Sequence, residues 1–266
     1  MTLILTLCSP ERTVQVSDRR LTGPNGKLVT DEANKAVGVW CDDAHFSVAY
    51  TGLARVRHAK TRRWMGTDKW IADTIGSIMQ SGINEVREIY RVFAVEAAET
   101  VASTPVPRTK TGTTFVFAGF FYRSRVITFL GSLSNMSLGT DGKVIKVSKH
   151  FDVTHVYSLR PTMPLNEKEI HVDGMVPALI SKDAIAKAIN RRTRVIHRRL
   201  ERVRRSENPL DEMAETKELI SIVRMASRHP EYGRYIGRDC MAVVLNYNSR
   251  AITADIYKED SSVMHD

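Results

Sequence analysis

The second residue of the chain is a threonine, and removal of Met1 would leave a hydroxyl and a free α-amine on that one residue. A threonine hydroxyl is a weak nucleophile at neutral pH and must give up its proton as it attacks. A free α-amine has an ordinary pKa of about 7.7–8.0, so part of it is unprotonated at pH 7 and can accept that proton. Thr2 would therefore carry both a nucleophile and its base.

Three residues further along the chain have groups that suit the hydrolysis of an amide: Asp18, Lys35 and Gly52. A buried ammonium at Lys35 would lower the pKa of the threonine hydroxyl, and Asp18 would keep that ammonium charged and oriented. The amide of Gly52 would donate to the oxyanion, and the missing Cβ would let substrate come close. Singly, such residues are more often a surface ion pair and a turn glycine, so their order and spacing carry the hypothesis.

Order and spacing together resemble the proteasome β-subunit branch of the N-terminal nucleophile (Ntn) hydrolases, including bacterial proteasome-like proteases. Asp18 follows Thr2 by 16 residues, and Lys35 follows Asp18 by 17. The resemblance is carried by Thr2–Cys8, Ser17-Asp18-Arg19, Lys35 and the turn Tyr50–Ala54. It implies that Thr2 is the nucleophile, that Gly52 holds the oxyanion, and that the chain assembles with copies of itself, since relatives form rings. It also implies an α+β fold, a four-layer αββα sandwich of two mainly antiparallel sheets flanked by helices.

Two later turns depart from the family's pattern. The family uses the serine of a Gly-Ser-Gly turn to assist the amine, and Asp173-Gly174 stands at the corresponding place. The carboxylate of Asp173 would accept a hydrogen bond from the α-ammonium and favour its protonated form. The family's Asp-x-x-Ser-Gly turn before the penultimate strand is replaced by Tyr235–Cys240, in which Asp239 is the candidate substitute.

The net charge of +9 is concentrated in one segment. Lys187 to Arg205 contains nine Lys or Arg residues and one Glu, a local charge of +8. Apolar residues recur there at helical spacing, which predicts a basic helix around 185–206: Ile185, Ile189, Ile196, Leu200 and Val203. A solvated helix face is the simpler interpretation, and a docking site for an acidic partner or nucleic acid is the alternative. No aromatic residue lies between the arginines, which counts against nucleic acid.

Composition excludes several classes of protein. A chain of 266 residues with 42% hydrophobic content can form a single domain over 1–266 with a substantial core. Three cysteines without C-x-x-C spacing suit a reducing cytoplasm. We expect no signal peptide, because the N-terminus lacks a basic region and its apolar stretch is short, and no apolar run approaches the length of a membrane span. The scattered histidines and the absence of a glycine-rich phosphate loop predict no metal and no organic cofactor.

Patterns along the chain predict strands and helices in separate groups rather than in βαβ alternation, which favours sheets flanked by helices. Predicted strands are Leu3–Cys8, Thr13–Ser17, Lys35–Trp40, Phe46–Thr51, Thr113–Ala118, Arg125–Leu130, Val153–Tyr157, Ile170–Val172, Met241–Leu245 and Ala251–Tyr257. Besides the basic helix, the predicted helices are one capped by Thr67 and running through Met79, one over Ile83–Val101, and one opened by Asn208-Pro209 and ending at Ser227.

The sequence thus predicts a cytoplasmic, homo-oligomeric threonine hydrolase that cleaves peptide or other amide bonds through an acyl-enzyme on Thr2. Two alternatives stay open. The first is a catalytically inactive assembly subunit that keeps the fold. The second is a protein that binds an acidic partner or nucleic acid through the Arg-rich helix.

Overall fold

The computed structural model describes residues 3–22, 27–107, 112–122, 126–138, 144–159, 169–174, 198, 212–228, 233 and 235–259. In these ranges the strands are β1 Leu3–Cys8, β2 Arg12–Asp18, β3 Leu21–Thr22, β4 Leu28–Thr30, β5 Ala36–Trp40, β6 Ala44–Thr51, β7 Arg55–Arg57, β8 Trp64–Gly66, β9 Thr114–Tyr122, β10 Val126–Leu138, β11 Val144–Leu159, β12 Glu169–Gly174, β13 Cys240–Asn246 and β14 Ile252–Tyr257. The helices are α1 Thr67–Gln80, α2 Val86–Ser103 and α3 Glu212–Ser227.

Within the described ranges, two five-stranded sheets form the central layers. The first has the order β12-β1-β2-β13-β14, and the second has the order β11-β10-β9-β6-β5. Every neighbouring pair in both sheets is antiparallel. The consecutive strands β9 and β10 form one antiparallel hairpin, and β13 and β14 form another.

Side-chain alternation along the strands separates the layers. In β1, Leu3 and Leu5 pack in a core cluster with the apolar residues of α3, whereas Ile4 packs in a cluster between the two sheets. Helices α1 and α2 cover the outer face of the second sheet, where Trp70 and Phe93 lie in the largest core cluster with ring centroids 5.2 Å apart. The predicted αββα order of layers is therefore confirmed.

The start of α1 differs from the prediction. Gly66 is the N-cap, and Thr67 is the first helical residue. The Thr67 hydroxyl donates to the carbonyl oxygen of Leu53 at 2.6 Å, because the chain between these residues folds back on itself as the hairpin β7–β8. The sequence did not predict this hairpin. It also predicted β10 and β11 as much shorter strands than the paired, bulged ribbon that they form.

Several predictions fall on parts of the chain that lie outside the described residues. These are the Arg-rich segment 185–206 apart from exposed Arg198, and the helix start at Asn208-Pro209. Among the described helices, none is long and apolar enough to cross a membrane.

Candidate active site

Asp18, the last residue of β2, is a fully buried carboxylate that accepts four hydrogen bonds. Oδ1 accepts from the backbone amide of Leu3 at 2.8 Å. Oδ2 accepts from Lys35 Nζ at 3.0 Å and from the amides of Arg20 and Gly237, both at 3.1 Å. Four donors compensate the desolvation of this charge and fix the orientation of the side chain.

Lys35 lies directly before β5, and its side chain is fully buried. Its Nζ donates to Asp18 Oδ2 at 3.0 Å and to the carbonyl oxygen of Arg20 at 2.5 Å. Burial lowers the pKa of Lys35, while the nearby carboxylate of Asp18 opposes that shift. An ammonium has three N–H bonds, and within the described ranges these two acceptors occupy two of them.

Three strand ends bring this pair together. Asp18 ends β2, Lys35 precedes β5, and Leu3 begins β1. The carbonyl oxygen of Lys35 also accepts from the amide of Tyr50 at 3.1 Å, which ties Lys35 to the end of β6. Thr2 lies outside the described residues, but its neighbour Leu3 is held directly on Asp18.

Gly52 follows the end of β6, at the edge where Tyr50 meets Lys35. Its φ of +108° lies in the region that favours glycine, and the residue is exposed. A Cβ here would collide with the carbonyl oxygen of Gly112 and lie 2.8 Å from Thr113 Cα. The backbone thus requires glycine at this position. Since Thr2 lies outside the described residues, the oxyanion role of Gly52 stays a prediction.

Asp173 lies on β12, the strand that pairs with β1. In the antiparallel register Asp173 is opposite Ile4, and Gly174 is opposite Leu3. Asp173 and Gly174 thus end strand β12 instead of forming the predicted turn, and the backbone brings them to the same end of the sheet as the first residues of β1. Its predicted role as a partner of the α-amine stays a prediction.

The sequence did not predict a hydrogen-bond network around Arg20, which adjoins the Asp18–Lys35 ion pair. The guanidinium of Arg20 makes a two-point contact with Asp31, with Nε–Oδ1 at 2.7 Å and Nη2–Oδ2 at 3.1 Å, and donates from Nη1 to the carbonyl oxygen of Gly233 at 2.9 Å. The hydrogen bond with Asp31 raises the pKa of Arg20. This side chain anchors the backbone whose amide and carbonyl bind Asp18 and Lys35.

The turn Tyr235–Cys240 packs against this network around Arg20. Gly237 packs so closely on Arg20 that a Cβ would lie 2.8 Å from Arg20 Cβ. Asp239, the candidate substitute for the family's later turn, accepts from the amide of Glu259 at 2.9 Å, and its predicted role stays a prediction. No local pattern linked Arg20 to Asp31 or to Gly237, since their contacts join segments distant in the sequence.

The described residues contain no group of three or more His, Cys, Asp or Glu side chains arranged to hold a metal ion. The polar groups that converge here are instead one carboxylate, one ammonium and backbone amides. Such an arrangement can orient an ammonium and polarise a neighbouring hydroxyl.

No protein-family model matches the chain, and no curated protein matches its sequence. Among solved structures, Anbu (ancestral beta-subunit) from Yersinia bercovieri superposes with a TM-score of 0.60 at 11% identity, covering 98% of this chain and 89% of that one. The Gly-1 mutant of Anbu from Hyphomicrobium sp. strain MC1 gives a TM-score of 0.57 at 12% identity, with coverages of 98% and 88%. Trypanosoma brucei HslV is a more distant match, with a TM-score of 0.40 and 13% identity over 92% of this chain and 99% of that one.

The architecture and these neighbours define the class of fold: a proteasome-like Ntn sandwich of two antiparallel sheets between helical layers. At such low identities the likeness concerns the fold alone. What the chain does must be argued from its own residues.

Proposed function

We propose that the chain is an N-terminal threonine hydrolase that cleaves peptide or other amide bonds. The observation that carries the proposal is the fully buried Lys35–Asp18 pair, whose carboxylate is bonded to the amide of Leu3, the residue next to Thr2. A charged pair is costly to bury, and a buried lysine with a lowered pKa and a carboxylate partner is a candidate for a functional site.

In the proposed reaction Met1 is first removed, and the hydroxyl oxygen of Thr2 attacks the substrate carbonyl carbon. The α-amine takes the hydroxyl proton as the new C–O bond forms, and the amide of Gly52 donates to the oxyanion. Collapse of the tetrahedral intermediate breaks the C–N bond, and the α-ammonium protonates the departing amine. Water then attacks the ester, with the same α-amine as base, and releases the acid and free Thr2.

Lys35 acts on the hydroxyl through charge. Its third N–H would donate to the Thr2 hydroxyl oxygen and stabilise the developing alkoxide. Because burial already lowers the pKa of Lys35, its ammonium is a stronger proton donor than an exposed lysine. Asp18 keeps the ammonium oriented, and Asp173 would bind the α-ammonium from the neighbouring strand.

The first test is the intact mass of the full chain before and after treatment with a threonine-directed β-lactone. We expect loss of Met1 and a single adduct, both assigned by mass, and no adduct on Thr2→Ala. Lys35→Met should slow adduct formation by at least about a hundredfold, because the developing alkoxide loses its electrostatic partner. Lys69→Met is the matched control, since the Lys69 side chain is 68% exposed and pairs with Asp73 on α1.

The outcomes separate the proposal from its alternatives. Retained Met1 would leave the amine of Thr2 in a peptide bond and sink the mechanism. Loss of Met1 without an adduct would favour an inactive assembly subunit. An adduct that survives Lys35→Met at an unchanged rate would remove Lys35 from the site.

We also propose that the chain assembles with copies of itself. The support is the likeness of fold to Anbu, which is described as an ancestral beta-subunit. Light scattering on the eluting protein should give a mass several times the 30.0 kDa of one chain. A mass of one chain across a wide range of protein concentration would contradict this proposal.

A further inference from the structure

Between Gly52 and Thr67 the chain forms a strongly basic hairpin, defined here as residues 55–66. Its strands are β7 Arg55–Arg57 and β8 Trp64–Gly66. Positions 55–63 contain five cations and no acid: Arg55, Arg57, Lys60, Arg62 and Arg63. The nearest acid that follows along the chain is Asp68, in the first turn of α1.

The basic hairpin has an inner and an outer face. Val56 pairs with Met65 in register, and both pack on the core, with Val56 only 1% exposed. Arg57 pairs with Trp64, and these residues alternate with the inner ones, so they share the outer face with Arg55. Trp64 is 47% exposed. The outer face is therefore cationic with one aromatic side chain.

Most of these charges have no carboxylate close by. Lys60 Nζ lies 3.2 Å from Glu96 Oε1, which is an ion pair with an exposed lysine. For Arg55, Arg62 and Arg63, the described part of the chain supplies no carboxylate within ion-pair distance. Their guanidinium groups are thus available to an external anion.

Hydrogen bonds hold the tip of the basic hairpin in a defined shape. His58 N donates to the carbonyl oxygen of Arg63 at 2.9 Å, and Arg62 N donates to that of His58 at 2.9 Å. His58 Nδ1 accepts from the amide of Lys60 at 3.2 Å. A preorganised surface loses less conformational freedom when a ligand binds.

The base of the basic hairpin adjoins the candidate site. Thr67 N donates to the carbonyl oxygen of Ala54 at 3.1 Å, and the Thr67 hydroxyl closes on Leu53. Leu53 directly follows Gly52, and three residues of extended chain span at most about 10 Å, so Arg55 lies within that distance of the proposed oxyanion glycine.

We propose that the basic hairpin binds an acidic segment of the peptide substrate beside the bond that is cut. This inference rests on the proposed function, because the neighbouring site makes a peptide the ligand that passes over the hairpin. Single-stranded nucleic acid fits less well, since one exposed aromatic ring cannot stack a series of bases.

Binding is tested with the full-length Thr2→Ala variant, which holds substrate without turnover. Fluorescence anisotropy would compare three labelled peptides of equal length, rich in Asp/Glu, in Ser/Gln or in Lys/Arg. We expect the acidic peptide to bind at least about tenfold more tightly than the neutral one at low salt, and the difference to shrink at moderate salt.

The residues are tested by adding Arg55→Gln and Arg63→Gln together, which should weaken acidic-peptide binding about fivefold or more. Arg91→Gln is the matched control, because Arg91 is an exposed arginine on α2 that pairs with Glu88, and it should change nothing. Thermal unfolding of each variant checks that the fold is kept.

Equal affinity for acidic and neutral peptides, or no effect of the double substitution, would overturn the proposal. Tighter binding of a labelled single-stranded oligonucleotide, lost in the double variant, would overturn it in favour of nucleic acid. A third outcome is that Thr2→Ala prefers the acidic peptide but the unmodified chain forms no β-lactone adduct. That result would refute the proposed hydrolase and keep the basic hairpin as a binding site for acidic peptides. An adduct without any charge preference would sink the hairpin proposal alone.

Discussion

Replacing Asp18 by asparagine should destabilise the protein by about 5 kcal/mol at pH 7. Removing one partner of a buried pair costs about 3–5 kcal/mol, because the other charge stays buried without compensation. The Asp18 and Lys35 side chains are both 0% exposed. An asparagine could still accept from Leu3 N through its oxygen, but its NH₂ group would face three donors on Lys35, Arg20 and Gly237. Each buried donor left without an acceptor adds about 1–3 kcal/mol, which puts this variant at the upper end.

Lys35→Met provides the comparison, with an expected loss of about 3 kcal/mol. Asp18 would keep its three backbone donors in this variant, and methionine nearly fills the space of the lysine stem. Asp18→Asn should therefore be the more damaging of the two. The reverse order, or losses below about 1 kcal/mol in both, would refute the reading of a buried and mutually dependent pair.

The dependence on pH gives a sharper check. Burial lowers the folded-state pKa of Lys35 below its ordinary value of 10.5, and Asp18 opposes this shift. Without Asp18 the folded-state pKa falls further. A folded pKa below the unfolded one means that stability rises as the pH increases from the folded pKa towards 10.5, and falls as the pH decreases.

The deficit of Asp18→Asn against the unmodified chain should therefore shrink as the pH rises from 7 to 9.5. Denaturant unfolding followed by circular dichroism, at one fixed protein concentration, measures it. A deficit that stays constant over this range would mean that Lys35 is not left as a buried, uncompensated cation.

Three further predictions follow from the same structure. Gly52→Ala should lower the free energy of unfolding by about 2–4 kcal/mol, because φ is +108° and a Cβ would collide with backbone atoms. Gly76→Ala inside α1 is the control: a Cβ there has nothing within 4 Å, and the substitution should raise the free energy of unfolding by up to about 1 kcal/mol. Equal effects of the two substitutions in denaturant unfolding would contradict this. Asp31→Asn should slow β-lactone adduct formation about tenfold and shift the pH profile of that reaction. It should lower the free energy of unfolding by only about 1 kcal/mol, because the Arg20–Asp31 ion pair is partly exposed. An unchanged rate and pH profile would show that Asp31 has no positioning role. Burial lowers the pKa of His45 from 6.5 to about 4. Neutral His45 therefore contributes about 3 kcal/mol to the free energy of unfolding above pH 6.5, and this contribution is lost as the pH falls through 4. In urea titrations the stability of His45→Gln should depend less on acid pH than that of the unmodified chain, and parallel curves would refute this.

The sequence predicted most accurately where the pattern is local. Apolar runs and apolar alternation located β1, β2, β5 and β6 to within a residue or two. Strands β1 and β6 are buried on both faces, and such strands appear in a sequence as short, nearly continuous apolar runs. Spacing along the chain also placed Asp18 and Lys35 at neighbouring strand ends, where they meet at 3.0 Å. The layers followed from helices grouped between the strand-rich segments.

Long-range contacts could not be predicted. Gly237 reaches Asp18 across 219 positions, and Arg20 meets Asp31 through side chains that have no shared period. The basic hairpin was missed because its arginines and lysine obscure a period of two that only Val56 and Met65 mark on the inner face. The sequence predicted Thr67 as a helix cap, but its hydroxyl donates to the carbonyl oxygen of Leu53. Only the folded hairpin brings these two groups together.

The position of the ion pair bears on the choice between a hydrolase and an inactive subunit. A buried ion pair is often no more stabilising than apolar side chains of similar volume, so a purely architectural role gives little reason to bury one here. One carboxylate oxygen of Asp18 accepts from the amide of Leu3, the residue that directly follows Thr2 in the sequence. Lys35 has an N–H bond beyond the two that the described residues accept, in a site where an unshared polar hydrogen is costly. We propose that the Thr2 hydroxyl accepts that bond, so that one acceptor would serve both the proposed chemistry and this buried N–H group.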